Sequence, residues 1–376
     1  MATSPQKKFR VLVVDDSAFM CKVLETIFNA DEHLQVVGKA RDGREAIALA
    51  ETLKPDVITM DLNMPHLDGL QATAHIMISN PRPIVVVSSE TREGAASTLK
   101  ALELGAIEFV TKPSGGIDLD MQSVKEDLLR KVRMAAKVRV VRTASRMANG
   151  LQSLAAKPRP ANPTPRPTTP ATNFSSDMRF PVVVLAASTG GPATVMRMAP
   201  GFTRDFPAAV FLVQHMPASF TSQYALQLAE FTNIRVKEAE HNESVQPGVL
   251  YICPGGHHLR VAPTGRIQLD ATTGRIDGYL PNIDVTMESV AAFAGAMSIA
   301  VVLTGMGCDG ARGARAIKTA GGLVLAQDEA TSVIFGMPDE AIKTGVVEQV
   351  LAIDAIYPAI ERRVLGLSKA LPVGVR

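Results

Sequence analysis

Short apolar runs alternate with amphipathic segments along the first third of the chain. Between the first two runs, the apolar residues from Phe19 to Phe28 recur at helical spacing, which predicts a helix. Strands that alternate with helices form a parallel sheet covered on both faces, with the functional crevice at the carboxyl ends of the strands. The pattern therefore predicts a small doubly wound domain of the flavodoxin-like type. Its five predicted strands are residues 9–14, 34–38, 57–60, 84–87 and 107–110.

The same alternation returns in the second half of the chain, which predicts a second doubly wound α/β domain with a mainly parallel sheet. Residues 235–277 are less regular and richer in glycine and polar residues, a composition that is typical of hairpins. The predicted strands of this half are residues 181–187, 209–213, 300–303 and 323–326, and the predicted helices are residues 194–198 and 311–320.

A proline-rich segment separates the two halves. Residues 157–177 contain six prolines and almost nothing that could be buried, so we expect an extended, semi-rigid spacer. A chain of 376 residues exceeds one domain of about 150 residues. We predict one domain over residues 1–128, a basic helix and Pro/Thr-rich linker over 129–178, and a catalytic domain over 179–376.

Composition places the chain among ordinary globular proteins of a reducing compartment. Hydrophobic residues make up 46% of the chain and charged residues 20%, and three scattered cysteines argue against a disulfide scaffold. No apolar run approaches the roughly 20 residues of a membrane span, and no signal-peptide core follows the first basic residues. We therefore expect a cytoplasmic protein without a transmembrane segment.

Positive charge is concentrated between the two halves. Residues 128–176 contain ten basic and no acidic residues although the net charge is only +2, so the rest of the chain is net negative. A basic helix could bind nucleic acid, but the second half is dominated by Gly-rich strand ends rather than by a basic helical surface. We expect no nucleic-acid partner, and expect the basic segment to contact acidic faces of the protein or of a partner.

Charged and hydroxyl side chains follow four of the five strands predicted in the first half. Asp15 and Asp16 follow the first strand, Asp61 the third, Ser88 the fourth and Lys112 the fifth. In a doubly wound sheet these strand ends converge, and clustered carboxylates repel one another unless a cation lies among them. Carboxylate oxygens suit Mg²⁺, and an ionised Asp61 beside it could attack a phosphoryl donor to give an aspartyl phosphate.

The segments that carry these residues resemble the receiver domain of two-component response regulators. They are VLVVDDSAFM, DVITMDLNMPHLDGL, VVVSS and FVTKP, within residues 9–128. The resemblance implies that Asp61 is the phosphoacceptor and that Asp15 and Asp16 bind the metal with it. It also implies that Ser88 and Lys112 sense the phosphoryl group.

Three strand ends in the second half carry the side chains of an acyl-transfer site. Ser188 lies in a Gly-rich turn between a strand and a helix, His215 follows the next strand, and Asp309 follows a later one. If these strands are neighbours, Ser188 is the nucleophile, His215 the base, and Asp309 the group that fixes the imidazole tautomer. Around them, the candidates for substrate or oxyanion contacts are Thr189, Gly190, Gly191 and Met306.

Two other functions remain open on the residues alone. Gly305, Gly307 and Gly310 satisfy G-x-G-x-x-G after a strand, and Asp328 follows about 20 residues later, as in a nicotinamide-nucleotide site. Asp309 inside that loop argues against it, because a carboxylate would face an anionic pyrophosphate. The second alternative is a receiver-controlled scaffold without catalysis.

The whole chain resembles the chemotaxis response-regulator methylesterases, the CheB family. The segments AASTGGP, QHMP, CPGGHHL, LTGMGCDGARG and AQDEATSVIFGMP carry this resemblance. It implies hydrolysis of glutamate γ-methyl esters on the cytoplasmic helices of chemoreceptors, with deamidation of receptor glutamines as a second activity. Ser188, His215 and Asp309 match the catalytic positions, no cofactor is implied for hydrolysis, and a chemotaxis histidine kinase is the implied phosphodonor. The segment PNIDVTMESV at residues 281–290 departs from the commoner family pattern.

Overall fold

The computed structural model describes residues 7–88, 91–112, 120–138 and 180–369. The chain forms two compact units, Met1–Arg159 and Pro160–Arg376. Each unit has its own sheet and its own hydrophobic core.

A five-stranded parallel sheet organises the first unit, in the strand order β2-β1-β3-β4-β5. Its strands β3 and β4 are buried along their whole length, as expected when helices cover both faces of a sheet. The strands are β1 (Phe9–Val14), β2 (Leu34–Ala40), β3 (Val57–Met60), β4 (Ile84–Ser88) and β5 (Glu108–Thr111).

The first four helices of this unit begin at short polar side chains that accept a backbone N–H from the first turn. These N-cap residues are Ser17, Asp42, Asp68 and Thr91. The helices are α1 (Ala18–Asn29), α2 (Gly43–Leu53), α3 (Gly69–Ser79), α4 (Arg92–Glu103) and α5 (Asp120–Ala135).

The basic residues at the end of α5 pair with acids of the same unit. The Lys131 Nζ lies 3.8 Å from a Glu108 carboxylate oxygen, and the Arg133 Nη1 lies 3.4 Å from Asp31 Oδ2. Because Val132 on this helix is fully buried, α5 packs onto the sheet across the predicted division at residue 128. Residues 139–179, with most of the predicted basic and proline-rich linker, lie outside the described part of the chain.

A seven-stranded parallel sheet organises the second unit, in the strand order β14-β13-β12-β6-β7-β9-β8. Its three central strands β12, β6 and β7 are entirely buried. The strands are β6 (Val182–Ala187), β7 (Ala209–Gln214), β8 (Arg235–Glu238), β9 (Val249–Ile252), β12 (Ser298–Val302), β13 (Leu323–Gln327) and β14 (Gln349–Leu351).

The prediction of hairpins in residues 235–277 is only partly correct. One antiparallel pair of strands is present, between β10 (His258–Val261) and β11 (Ile267–Asp270), and a tight antiparallel turn joins Ile276 to Tyr279. The earlier part of the segment instead supplies β8 and β9, which join the main sheet as parallel strands. The prediction missed them because β8 is a half-exposed edge strand whose burial shows no simple alternation.

Six helices flank the strands of the second unit within its described residues. They are α6 (Gly191–Met198), α7 (Ala218–Ala229), α8 (Ile283–Ala294), α9 (Ala311–Thr319), α10 (Met337–Lys343) and α11 (Ile353–Lys369).

The contact between α8 and α9 is unusually close and bears on the site. A Cβ at Gly313 would lie 2.5 Å from the Met287 Cβ and 3.2 Å from the Asp284 Cα. This glycine on α9 therefore lets the first turns of the two helices meet. Together with the two parallel sheets, this packing confirms the predicted α/β fold class.

Candidate functional site

Ser188 and His215 occupy equivalent positions at the carboxyl edge of the second sheet. Ala187 on β6 pairs with Gln214 on β7, and Ser188 and His215 are the next residue of each strand. The His215 amide donates to the Ala187 carbonyl over 3.1 Å. Because neighbouring strands lie about 4.8 Å apart, the two side chains begin side by side.

The loop after β12 passes directly beside Ser188. The Ser188 amide donates to the Thr304 carbonyl over 3.1 Å. A Cβ at Gly305 would lie only 2.7 Å from the Ser188 Cβ, so this close approach requires a glycine. The loop that leads to Asp309 therefore starts next to the candidate nucleophile.

Asp309 and His215 are joined by a direct hydrogen bond. The His215 Nε2 lies 2.8 Å from Asp309 Oδ2, and the Asp309 side chain is almost completely buried. Since a carboxylate can only accept, Nε2 carries the proton and Nδ1 is the nitrogen left to accept one. This Nδ1 is buried and has no hydrogen-bond partner among the described residues. The Ser188 hydroxyl forms no hydrogen bond to it, and such contacts are often long in unliganded enzymes.

Backbone amides at the start of α8 hold the Asp309 carboxylate in place. The Ile283 amide donates to Oδ2 over 2.8 Å, and the Asp284 amide donates to Oδ1 over 3.0 Å. The positive end of the α8 dipole also favours a negative charge at this position. Asp309 is therefore held in one orientation before any substrate binds.

The Asp284 carboxylate in turn accepts hydrogen bonds from backbone amides just after Asp309. Its Oδ1 accepts from the Gly310 amide over 2.9 Å and from the Gly313 amide over 2.6 Å. Burial raises the pKa of Asp284 to about 6, and the nearby Asp309 charge adds to the effect. Arg312 is too far away for a direct hydrogen bond, with its Nε 3.9 Å from Asp284 Oδ2.

The candidate substrate and oxyanion residues lie around Ser188. Gly191 begins α6, but its amide donates to the Ser188 carbonyl over 2.8 Å and is thus committed to the turn. Thr189 is buried and its carbonyl accepts from the Thr304 hydroxyl, while Gly190 takes a positive φ of 75°. Met306 is half-buried in the loop after β12, next to Gly305.

The same loop does not have the contacts of a nicotinamide-nucleotide site. Phosphate would need the amides at the start of α9, and those of Gly310 and Gly313 already donate to Asp284. Asp328 accepts from the amide and the hydroxyl of Thr331, so it stabilises a turn instead of facing a ribose. The geometry thus argues against this alternative for Gly305, Gly307 and Gly310.

The predicted acidic cluster is present at the carboxyl edge of the first sheet. Asp15, Asp16 and Asp61 each offer an oxygen within 4.8 Å of the others, and no other such cluster of three occurs among the described residues. The Lys112 Nζ lies 2.9 Å from both Asp15 Oδ2 and Asp61 Oδ2. Three carboxylates beside one ammonium leave an excess of negative charge on hard oxygen ligands, which fits Mg²⁺.

Electrostatics in this cluster follow from burial and shared charge. Burial raises the pKa of Asp61, and Lys112 opposes that effect. Burial also works against the charged Lys112, but the two aspartates raise the pKa of its ammonium above the usual value. Ser88 is buried at the end of β4, its carbonyl accepts from the Lys112 amide, and its hydroxyl lies 3.3 Å from the Gly94 carbonyl.

Two residues at the second site were missed by sequence reasoning. One is Asp284, and the other is Tyr279, whose ring stacks on the His215 imidazole with centroids 4.3 Å apart and planes inclined by 14°. The pair Asp277-Gly278 is a recognisable hairpin-turn signal just before Tyr279, but it does not indicate what the tyrosine contacts.

Comparisons with known proteins agree across both units. A family profile described as CheB methylesterase matches residues 183–360, and one described as response regulator receiver domain matches residues 11–122. A protein of Pyrococcus abyssi named protein-glutamate methylesterase/protein-glutamine glutaminase is 42% identical over 361 residues, covering 95% of this chain and 94% of that protein. The chain belongs to the CheB methylesterase family.

A further full-length relative and a solved catalytic domain are also similar to this chain. A Symbiobacterium thermophilum protein of the same name is 41% identical over 365 residues, covering 97% of this chain and 99% of its own. The crystal structure of the Thermotoga maritima CheB methylesterase catalytic domain is 39% identical, with a TM-score of 0.47, and covers 49% of this chain and 98% of that one.

Family membership confirms the resemblance found in the sequence and the prediction that the chain is an enzyme, a methylesterase with a response-regulator receiver domain. Among the described helices, none has both the length and the apolar character to span a bilayer.

Proposed function

We propose that the chain hydrolyses glutamate γ-methyl esters on the cytoplasmic helices of chemoreceptors, using Ser188, His215 and Asp309 as one catalytic unit. The observation that carries the proposal is the 2.8 Å contact between His215 Nε2 and Asp309 Oδ2. His215 directly follows β7, and Ser188 directly follows the neighbouring strand β6. The names of relatives about 42% identical over nearly the whole chain support the substrate class.

We assign each step of the reaction to one residue of this unit. The Ser188 hydroxyl attacks the ester carbonyl while His215 Nδ1 takes its proton, and Asp309 stabilises the resulting imidazolium. When the tetrahedral intermediate collapses, the imidazolium returns the proton to the leaving methoxide, which departs as methanol. Water then hydrolyses the acyl-enzyme by the same route, leaving a glutamate carboxylate on the receptor.

The same unit explains the second activity, deamidation of receptor glutamines. Attack of Ser188 on a side-chain amide gives the same acyl-enzyme, with the proton from His215 delivered to departing ammonia. We place Thr189, Gly190 and Met306 around the substrate carbonyl, because all three lie in the turn or loop next to Ser188.

Phosphorylation of Asp61 is the proposed control. A chemotaxis histidine kinase is the phosphodonor. Asp15, Asp16 and Asp61 would hold Mg²⁺, which would supply positive charge beside the phosphoacceptor. Lys112 contacts two of these carboxylates and can follow the phosphoryl group to Asp61, and Ser88 lies at the next strand end. Both residues could then transmit the change to the receiver surface.

Within this proposal, residues 1–128 are the receiver, 129–178 the linker and 179–376 the catalytic domain. We expect the unmodified receiver to inhibit the catalytic domain, so that deletion of residues 1–178 raises basal esterase activity. A truncated protein that folds but shows no gain in activity would contradict this form of regulation.

Methanol release from methylated receptor membranes tests the proposed function. With Mg²⁺ and a small phosphodonor, we expect the wild-type chain to release methanol faster than without them. Ser188→Ala should abolish release, whereas Asp61→Asn should keep basal release and lose the stimulation. A scaffold without catalysis would release no methanol in any form, and that result would overturn the proposal.

A further inference from the structure

Tyr279 covers one face of the His215 imidazole. The two rings are nearly parallel, with planes inclined by 14° and centroids 4.3 Å apart. The face of a tyrosine ring carries negative electrostatic potential, so it attracts a cation stacked on it more strongly than a neutral ring. His215 becomes such a cation each time it accepts the Ser188 proton.

Tyr279 ends a tight, hydrogen-bonded two-residue turn. Ile276 and Tyr279 exchange backbone hydrogen bonds of 3.0 and 2.9 Å, and the two residues between them have positive φ angles of 52° and 86°. This is the geometry of a two-residue type I′ hairpin. The hairpin tip is also tied to α9, because Arg312 Nη1 lies 3.3 Å from Asp277 Oδ2.

The far end of the tyrosine reaches the loop that carries Asp309. A Cβ at Gly307 would lie 2.1 Å from the Tyr279 hydroxyl oxygen, so any larger residue at 307 would displace the ring. Gly307 also has a φ of +96°, which favours glycine. Tyr279 thus spans from the imidazole to the loop two residues before Asp309.

The imidazole needs a second restraint that Tyr279 can supply. Among the described residues its one hydrogen bond, from Nε2 to Asp309, fixes a point on the ring but does not by itself define the ring plane. Nδ1 has no hydrogen-bond partner among the described residues, so it does not fix the plane. Stacking on Tyr279 defines the plane and so the direction of the Nδ1 lone pair.

We propose that Tyr279 is a positioning residue for His215, which fixes the imidazole plane and stabilises the imidazolium through the face of its ring. This inference rests on the proposed function, in which His215 is the base. Among the described residues, the charged group that hydrogen-bonds to the imidazole is Asp309, and Asp284 lies directly behind it. Replacement of Tyr279 leaves both carboxylates in the sequence.

Three substitutions separate the ring face from the other properties of the tyrosine. Tyr279→Phe keeps the stacked face and removes the hydroxyl. Tyr279→Leu keeps an apolar side chain and removes the face, and a ring-fluorinated phenylalanine at 279 keeps the shape and weakens the negative face. Arg275→Ala is the matched control, since Arg275 is exposed on the same hairpin and, within the described residues, donates to the Gly278 carbonyl alone.

Ester hydrolysis by the full chain is followed as a function of pH, beside the pH titration of the His215 ring protons by NMR. We expect Tyr279→Leu and the fluorinated variant to lower kcat about 5- to 20-fold with little change in KM, and to move the acid limb of the profile to lower pH. The NMR titration should move in the same direction, and Tyr279→Phe and Arg275→Ala should match wild type.

Two results would overturn the inference. One is an unchanged acid limb and unchanged ring-proton titration in the fluorinated variant, which preserves the packing. The other is a loss in Tyr279→Phe as large as in Tyr279→Leu, which would assign the effect to the hydroxyl. Failure of the proposed function is distinguishable, because wild type would then release no methanol or Ser188→Ala would keep its activity, while the NMR titration still reports on Tyr279.

Discussion

The Asp309 carboxylate lies at the start of α8, which carries Asp284, and the Asp284 carboxylate lies at the start of α9, which follows Asp309. Asp309 accepts from the amides of Ile283 and Asp284, which begin α8, and Asp284 accepts from those of Gly310 and Gly313, around the start of α9. The close approach of the helices at Gly313 makes this exchange possible. The base of the candidate triad is therefore oriented by a carboxylate that the start of α8 holds in place.

Asp284 should make the stability of the second unit depend on pH. Its pKa is about 6 in the folded chain against an ordinary value of 3.8, so the folded state binds its proton more tightly. The stability linked to that proton is complete below pH 3.8 and is lost as the pH rises through about 6. In wild type the free energy of unfolding of the second unit should fall by at most about 3 kcal/mol over this pH range. We expect this decrease to be absent in Asp284→Asn.

Urea unfolding of the full chain at pH 4.5 and pH 7.5 measures this effect on the transition of the second unit. Glu329→Gln, which neutralises an exposed carboxylate, is the control and should follow wild type. Equal pH dependence in wild type and Asp284→Asn would show that the buried carboxylate is not the source.

Asp309→Asn should damage catalysis far more than binding. An amide at this position can present its NH₂ group to Nε2 and so favour the tautomer with its proton on Nδ1, where the base needs a lone pair. We expect kcat for ester hydrolysis to fall by about 10³- to 10⁴-fold with little change in KM. A fall below tenfold in steady-state kinetics would mean that Asp309 does not set the tautomer.

The receiver cluster should respond to Mg²⁺ in thermal unfolding. Asp15 and Asp61 share the single ammonium of Lys112, and burial raises the pKa of Asp61, so neutralising that residue relieves repulsion at neutral pH. Without Mg²⁺, we expect Asp61→Asn to stabilise the receiver by about 1 kcal/mol. With Mg²⁺, wild type should gain several degrees in the unfolding midpoint and Asp61→Asn much less.

Calcium, which is larger and takes more ligands, serves as the matched cation control. If Mg²⁺ raises the unfolding midpoint of wild type and Asp61→Asn by the same amount, the ion binds elsewhere on the chain and not at this cluster.

The strands and the strand-end residues could be predicted because burial in a parallel sheet leaves a continuous apolar run in the sequence. The prediction of residues 9–14 and 57–60 matches β1 and β3, and Ser188, Asp61 and His215 each come directly after such a run. The sequence did not predict the order of the strands in the sheet. The observed order places β6 between β12 and β7, which brings the three residues of the candidate triad to one edge.

The contacts of Asp284 and Tyr279 could not be predicted because they depend on tertiary packing. Asp284 looks like an ordinary acid in the first turn of a helix, and its partners lie more than 25 residues away on α9. Tyr279 follows a recognisable Asp-Gly turn, but its stacking on His215 depends on how the hairpin folds over the sheet edge. Neither relationship has a local sequence pattern.

A double-mutant cycle on Ser188 and His215 tests the central claim most directly, because residues that act as one catalytic unit give strongly non-additive losses. Methanol release from methylated receptor membranes is measured for wild type, Ser188→Ala, His215→Ala and the double variant under one set of conditions. We predict that each single variant loses nearly all activity and that the double variant is no slower than the slower single one. Losses that multiply in the double variant, or a Ser188→Ala enzyme with more than a tenth of wild-type activity, would contradict the account.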